Sequence, residues 1–183
     1  MTRSRPIPAL ITERRLRARV RAIGRRIRRD YRGRDLVLVG VLKGSFVFMA
    51  DLARAIGLPL MCDFMKISSY GSSTTSAGRL RFDFDVSHPL RGRHVLVVED
   101  IVDTGYTAER ALAEVRAKRP ASLRLCALLH KPERGRVRVP IDYLGFSIPN
   151  RFVVGYGLDL DGLHRNLPYL GFVPEPAPPK RTR

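Results

Sequence analysis

VLVVEDIVDTGYT, residues 95–107, joins four apolar residues to three carboxylates, Glu99, Asp100 and Asp103, inside nine positions. Val95 to Val98 has the length and β-branched composition of a buried strand. Three carboxylates that close repel one another, and each is costly to bury unpaired. Something cationic must therefore meet them: a metal, a sugar phosphate with its metal, or arginines of the protein. Asp103-Thr104-Gly105-Tyr106-Thr107 reads as the turn from this strand into a helix that runs to about Lys118 and is stopped by Pro120.

In an open α/β sheet, ligands collect at the carboxyl ends of the strands, which is where Glu99 and Asp100 fall. Gly105 lets the backbone approach an anion closely, and Thr104 and Thr107 offer hydroxyls. The first free amides of the helix add donors and a positive dipole end. The pattern is a phosphate cradle with carboxylates at its lip, placed to accept from sugar hydroxyls or to reach Mg²⁺. An acidic helix cap would explain Asp103 or Thr104 alone, but not the apolar run followed by Glu-Asp and Thr-Gly-x-Thr.

The elements on either side support this setting. Leu36 to Val41 is a continuous apolar run ending at Lys43-Gly44-Ser45, and a helical pattern follows from Phe46 to Ile56. Leu60 to Ile67 reads as another strand, and Leu123 to Leu129 as a further one. Between residues 68 and 79 the chain is a polar Ser/Thr/Gly loop, after which Leu80, Phe82 and Phe84 alternate with charges as in a half-exposed strand. Strands alternating with helices imply an α/β fold with a central, mostly parallel sheet flanked by helices. From Lys131 onward the chain becomes short strands and turns, with IDYLGF and RFVVGYGL the clearest. We expect one domain over residues 1–173, in which residues from about 131 to 173 and the N-terminal segment form a small hood, and a Pro-rich disordered tail over 174–183.

Composition excludes several classes. The chain has 183 residues, 44% of them hydrophobic and 28% charged, enough for one sizeable core. No uncharged apolar run approaches the ~18 residues of a membrane span, and the start lacks a secretory apolar segment. Cys62 and Cys126 lie in strand-like runs and are expected to be reduced core thiols of a cytoplasmic protein. The net charge of +17 is local: residues 1–34 hold thirteen arginines against Glu13 and Asp30. Leu16, Val20, Ile23 and Ile27 mark a helix face there, with Arg14, Arg17, Arg21, Arg25 and Arg28 striped beside it. Such a stripe is able to hold RNA or another anionic surface, but without interleaved aromatics it reads first as a solvated face in an arginine-rich chain.

VLVVEDIVDTGYT resembles the phosphoribosyl pyrophosphate (PRPP) motif of the type I phosphoribosyltransferases, and its surroundings resemble the hypoxanthine-guanine branch in its bacterial form. The resemblance runs from about Leu10 to Val173. GVLKGSFVF (residues 40–48) resembles the family's pyrophosphate loop, which implies PRPP contacts from Lys43 and Gly44 and a cis peptide at Lys43–Gly44. KISSY with the loop after it resembles the lid, which implies that Ser69 and Tyr70 close over the reacting centre. Glu99, Asp100 and residues 103–107 then hold the ribose phosphate, with Asp103 as the base that takes the purine N7 proton. Lys131 matches the lysine that meets the purine 6-oxo group, Phe152 the ring stacked on the base, and Val153 its backbone neighbour. Asp159 matches a carboxylate of a second Mg²⁺, and Arg165 a pyrophosphate-binding arginine. Tyr106 stands where relatives vary. The implied reaction is phosphoribosyl transfer from PRPP to N9 of a 6-oxopurine, with Mg²⁺, in a homodimer or homotetramer. An RNA-binding regulator on the same fold, or a silent nucleotide sensor, is the alternative.

Overall fold

The computed structural model describes residues 7–69 and 80–174, so the Tyr70 expectation, the lid to residue 79 and the tail from 175 lie outside it. The elements are β1 (Ala9–Ile11), α1 (Glu13–Tyr31), β2 (Leu36–Leu42), α2 (Phe46–Ile56), β3 (Met61–Ser69), β4 (Leu80–Phe84), β5 (His94–Val102), α3 (Tyr106–Ala117), β6 (Ser122–His130), β7 (Tyr143–Ser147), β8 (Val153–Val154) and β9 (Leu170–Phe172). Six strands form the central sheet in the order β4-β3-β2-β5-β6-β7. All neighbours are parallel except β4, which runs antiparallel to β3. Buried residues of α1 and α2 belong to one core, and those of α3 to a second. Helices on both faces are why β2 and β5 read as unbroken apolar runs rather than alternating ones.

The Thr12 hydroxyl caps α1 by accepting from Arg15 N at 3.4 Å, and the helix buries Leu16, Val20, Ile23, Ile27 and Tyr31. The striped arginines are exposed. Three of their neighbours instead fasten α1 to β7. Arg19 donates to the Gly145 and Leu144 carbonyls at 2.8 and 2.7 Å, while Arg15 and Arg26 lie over the Phe146 and Tyr143 rings. Part of the basic excess is therefore packing material.

Gly24 was not singled out by the helix pattern, yet a Cβ there would meet Ala55 Cβ at 2.6 Å and the Ala55 backbone. Glycine lets α1 and α2 approach closely. Gly24→Ala should gain about 1 kcal/mol of helix propensity but lose about 1–3 kcal/mol to overpacking. The net expectation is destabilisation, read as a melting temperature lowered by a few degrees. An unchanged or raised value would mean that the helices part freely.

Three expectations change. The strand expected to stop at Val98 runs to Val102, because Glu99, Ile101 and Val102 continue the ladder opposite Ala127, Leu129 and His130 of β6. RFVVGYGL contributes only the two residues of β8 to a strand, within a small second sheet ordered β1-β9-β8. Its first member, three residues long, is too short to show a period and pairs with β9 from the far end of the chain. Cys126 is buried but Cys62 is exposed, since it precedes the part of β3 that β4 covers; both are free thiols.

Candidate active site

Parallel strands deliver their carboxyl ends to one edge of the sheet, and the expected site residues follow from that. β2 ends into Lys43-Gly44-Ser45, β5 into Asp103-Thr104-Gly105, and β6 into Lys131. Two lobes of one cleft open there. A cavity of about 250 Å³ is lined by Lys43, Gly44, Glu99, Asp103, Gly105 and Thr107 among others. Its neighbour, about 440 Å³, adds Lys131, Phe152, Val153, Asp159 and Arg165. Asp100 and Asp103 line both. Among the candidates whose side chains are described, Tyr106 stands apart, 41% exposed at the start of α3.

The cis peptide expected at Lys43–Gly44 lies one bond earlier, at Leu42–Lys43. The ladder with β3 persists to Leu42, so the chain leaves the sheet at that bond and Gly44 falls in the turn after it. A Cβ on Gly44 would collide with the Asp100 carboxylate, which is the physical demand for glycine here. Ser45 is fully buried and donates to the Val41 carbonyl at 2.6 Å, closing the turn.

Gly105 caps α3 with φ 94°, a conformation that favours glycine. Its missing Cβ leaves room for the Val137 carbonyl. The Thr104 carbonyl accepts from Arg136 N and Val137 N at 2.9 and 3.0 Å, so a distant segment braces the turn. The first helical bond runs from Glu109 N to Gly105 O, which leaves the amides of residues 106–108 without a helical acceptor. They are the donors a phosphate needs.

Asp103 is held by two cations: Lys131 Nζ at 3.2 Å on one oxygen and Arg134 Nε at 2.5 Å on the other. Arg134 was missed from sequence; its signal is a basic residue three positions after Lys131, across a short 3-10 turn begun by Pro132. Asp159 holds Arg165 at 2.6 Å and accepts from Gly162 N at 2.8 Å, and Arg165 also donates to the Gly157 carbonyl at 2.6 Å. Arg165 lies near enough to Asp100 to favour its charged form.

Among the described residues, Glu99 and Asp100 have no such ion pair. Burial, then the neighbouring Asp100 charge, pushes the Glu99 carboxyl well above the usual range. Burial likewise raises Asp100 to about 6, against the hydrogen bond from Ile101 N and the pull of Arg165. Glu99 is 3% exposed, and its Oε1 has no hydrogen-bond partner among the described residues. Such an orphaned oxygen fits a missing cation or hydroxyl. Among the described residues no group of three or more His, Cys, Asp or Glu gathers at one point. A Mg²⁺ here would take one or two carboxylate oxygens and complete its shell with water and substrate oxygens, as that ion commonly does.

A carboxyl whose folded pKa is raised favours the folded state while protonated and loses that advantage as pH rises through the raised value. The free protein should therefore lose stability between about pH 4 and 6 from Asp100. Asp100→Asn is expected to melt above wild type at pH 8, without Mg²⁺ or PRPP, and near wild type at pH 4.5. Equal melting temperatures at pH 8 would show that Asp100 is solvated rather than buried.

The phosphoribosyl transferase domain model matches residues 10–161. A Haemophilus influenzae protein named hypoxanthine phosphoribosyltransferase is 46% identical over 170 residues, covering 91% of this chain and 95% of its own. A Mycobacterium avium hypoxanthine-guanine phosphoribosyltransferase is 48% identical, covering 88% and 83%. The crystal structure of a Staphylococcus aureus hypoxanthine phosphoribosyltransferase superposes with a TM-score of 0.87 at 39% identity, covering 91% of this chain and 90% of that one. The chain thus belongs to the phosphoribosyltransferase family, in its hypoxanthine-guanine branch.

Proposed function

We propose that the chain transfers the 5-phosphoribosyl group of PRPP to N9 of a 6-oxopurine, hypoxanthine or guanine, releasing pyrophosphate in purine salvage. The observation that carries this reading is the single cleft in which the Lys43 loop, the 99–107 turn, Lys131 and the Phe152–Arg165 hood converge.

Each part has a physical task. The 5-phosphate sits on the free amides of α3 and the hydroxyls of Thr104 and Thr107. Glu99 and Asp100 accept from the ribose hydroxyls. Mg²⁺ held by Glu99 and Asp100, and a second Mg²⁺ held by Asp159, would neutralise the pyrophosphate oxygens. As the bond at the anomeric carbon breaks, negative charge builds on the leaving pyrophosphate, and Lys43 and Arg165 are the side chains that meet it. Ser69 and Tyr70 exclude water from the oxocarbenium-like centre. Asp103, at the junction of the two lobes, accepts the N7 proton so that N9 attacks. Lys131, with three donors, satisfies Asp103 and the 6-oxo group together. Phe152 is 53% exposed at the rim, an open face for a purine to stack on, with Val153 presenting backbone polar atoms beside it.

The protein acts in the cytoplasm as a homodimer or homotetramer; among the described residues no helix is long and apolar enough to cross a membrane. The RNA-regulator alternative raised by the arginine-rich start is not supported, since the Haemophilus influenzae and Mycobacterium avium relatives are named as hypoxanthine and hypoxanthine-guanine phosphoribosyltransferases. The test offers hypoxanthine, guanine, xanthine, adenine and uracil separately with PRPP and Mg²⁺ and measures pyrophosphate release. Release with hypoxanthine or guanine, but not adenine or uracil, is expected. No release with any base, or a salt-dependent RNA shift without turnover, would overturn the reading.

A further inference from the structure

Arginine has replaced lysine almost throughout this chain, 29 to 5. Of the lysines that remain, Lys43 and Lys131 already stand at the cleft, and Lys66 is a third on the wall of the same 440 Å³ lobe. Lys66 lies near the end of β3, in register with Leu42, the last residue before the Lys43-Gly44 turn. Side chains alternate along a strand, so Lys66 shares a face with Phe64, which packs on the α1–α2 side, while Met65 packs on the α3 side. That face is the one from which the Lys43 turn enters α2. Nothing assigned so far gives Lys66 a role.

Its partner is equally specific. Lys66 Nζ meets Asp83 Oδ2 at 2.5 Å, and the other Asp83 oxygen accepts from Ser68 Oγ at 3.1 Å. The Lys66 and Asp83 side chains are 34% and 19% exposed, so the pair is partly withdrawn from water, and of the two it is Lys66 that lines the cleft. Asp83 sits on β4, the antiparallel strand that adds an edge beyond β3.

We propose that Lys66 is a further binding residue for the pyrophosphate group of PRPP, and that Asp83 is its resident counterion, for which the incoming pyrophosphate substitutes. The assignment rests on the phosphoribosyl-transfer reading and deepens it. A lysine suits the task because its ammonium is a compact point charge on a flexible stem, able to swing from a carboxylate to a phosphate and to follow charge as it moves onto the leaving group. An arginine fork would hold Asp83 more rigidly. Exchange of one anion for another keeps the ammonium paired throughout, which avoids the cost of leaving it alone in a half-buried wall.

Binding of inorganic pyrophosphate with Mg²⁺ by calorimetry reads the assignment without requiring turnover, and KM values for PRPP and purine read it in the working enzyme. Lys66→Met should weaken pyrophosphate binding and raise the KM for PRPP by about tenfold, the size of one charge-assisted hydrogen bond, and leave the purine KM nearly unmoved. Lys66→Arg should recover part of the loss. Asp83→Asn should strengthen pyrophosphate binding, and should do nothing in a Lys66→Met background, since the two residues act as one unit. If Lys66→Met is not recovered as folded protein, Asp83→Asn and Lys66→Arg decide alone: a pyrophosphate affinity unmoved in both overturns the proposal. A lowered melting temperature with unchanged pyrophosphate binding would make Lys66 a strut between β3 and β4 and likewise overturn it. Wild-type turnover with a 6-oxopurine is a separate measurement, whose failure would strike the functional reading and not the Lys66 contact.

Discussion

Asp103→Asn is expected to lower kcat by about 10²–10³-fold while leaving the KM for PRPP within about threefold, the signature of an interaction made in the transition state. Asp100 and Asp103 both line the two lobes of the cleft, but Asp103 is the one that meets Lys131, at 3.2 Å, on the side where Phe152 and Val153 lie. An amide keeps the shape and accepts one hydrogen bond, but it cannot take a proton from N7. The same change strips the counter-charge from Lys131, whose side chain is 8% exposed, and some loss of stability accompanies it. The kinetic split, measured on folded protein, is therefore the readout. A kcat within a few-fold of wild type would remove Asp103 from the base role and leave it as an anchor for Lys131 and Arg134.

Lys131→Ala has the second large effect, and it is one of selectivity. The ammonium only donates, so it satisfies a carbonyl at C6 and meets the hydrogens of an amino group there. Leaving a buried polar group unpaired can cost on the order of 10⁴-fold in discrimination, which bounds the loss from above. We expect the ratio of kcat/KM for hypoxanthine over adenine to fall by about 10²-fold or more, with a smaller change in the KM for PRPP. Arg134 stays on Asp103 in this variant, so the base retains one cation. Equal losses for both purines would show that Lys131 serves only to hold Asp103.

The features legible in the chain are those set by neighbours in sequence. Six buried residues of Leu36–Leu42 with helices on both sides could only be an interior parallel strand, and the Phe46–Ile56 helix was readable to the residue. The 103–107 turn was legible because its residues are consecutive and its form is local: glycine at φ 94° and a helix start. The resemblance added Lys131 and Arg165, which no local pattern would have linked to that turn.

The amino-acid sequence by itself determined the α/β alternation, the place of the 103–107 turn before α3 and the need for a cation beside three acids, because backbone propensity and burial act over a few positions. Only the tertiary structure decided which cation serves which acid. Asp103 takes Lys131 and Arg134, 28 and 31 residues away, Arg165 takes Asp159, and one Glu99 oxygen finds no hydrogen-bond partner among the described residues. It also decided that Gly44 yields to Asp100 and Gly105 to Val137, and that a three-residue β1 closes on β9. Charge pairing and steric contact depend on separation in space, and that separation exists only once the sheet has brought its carboxyl ends together.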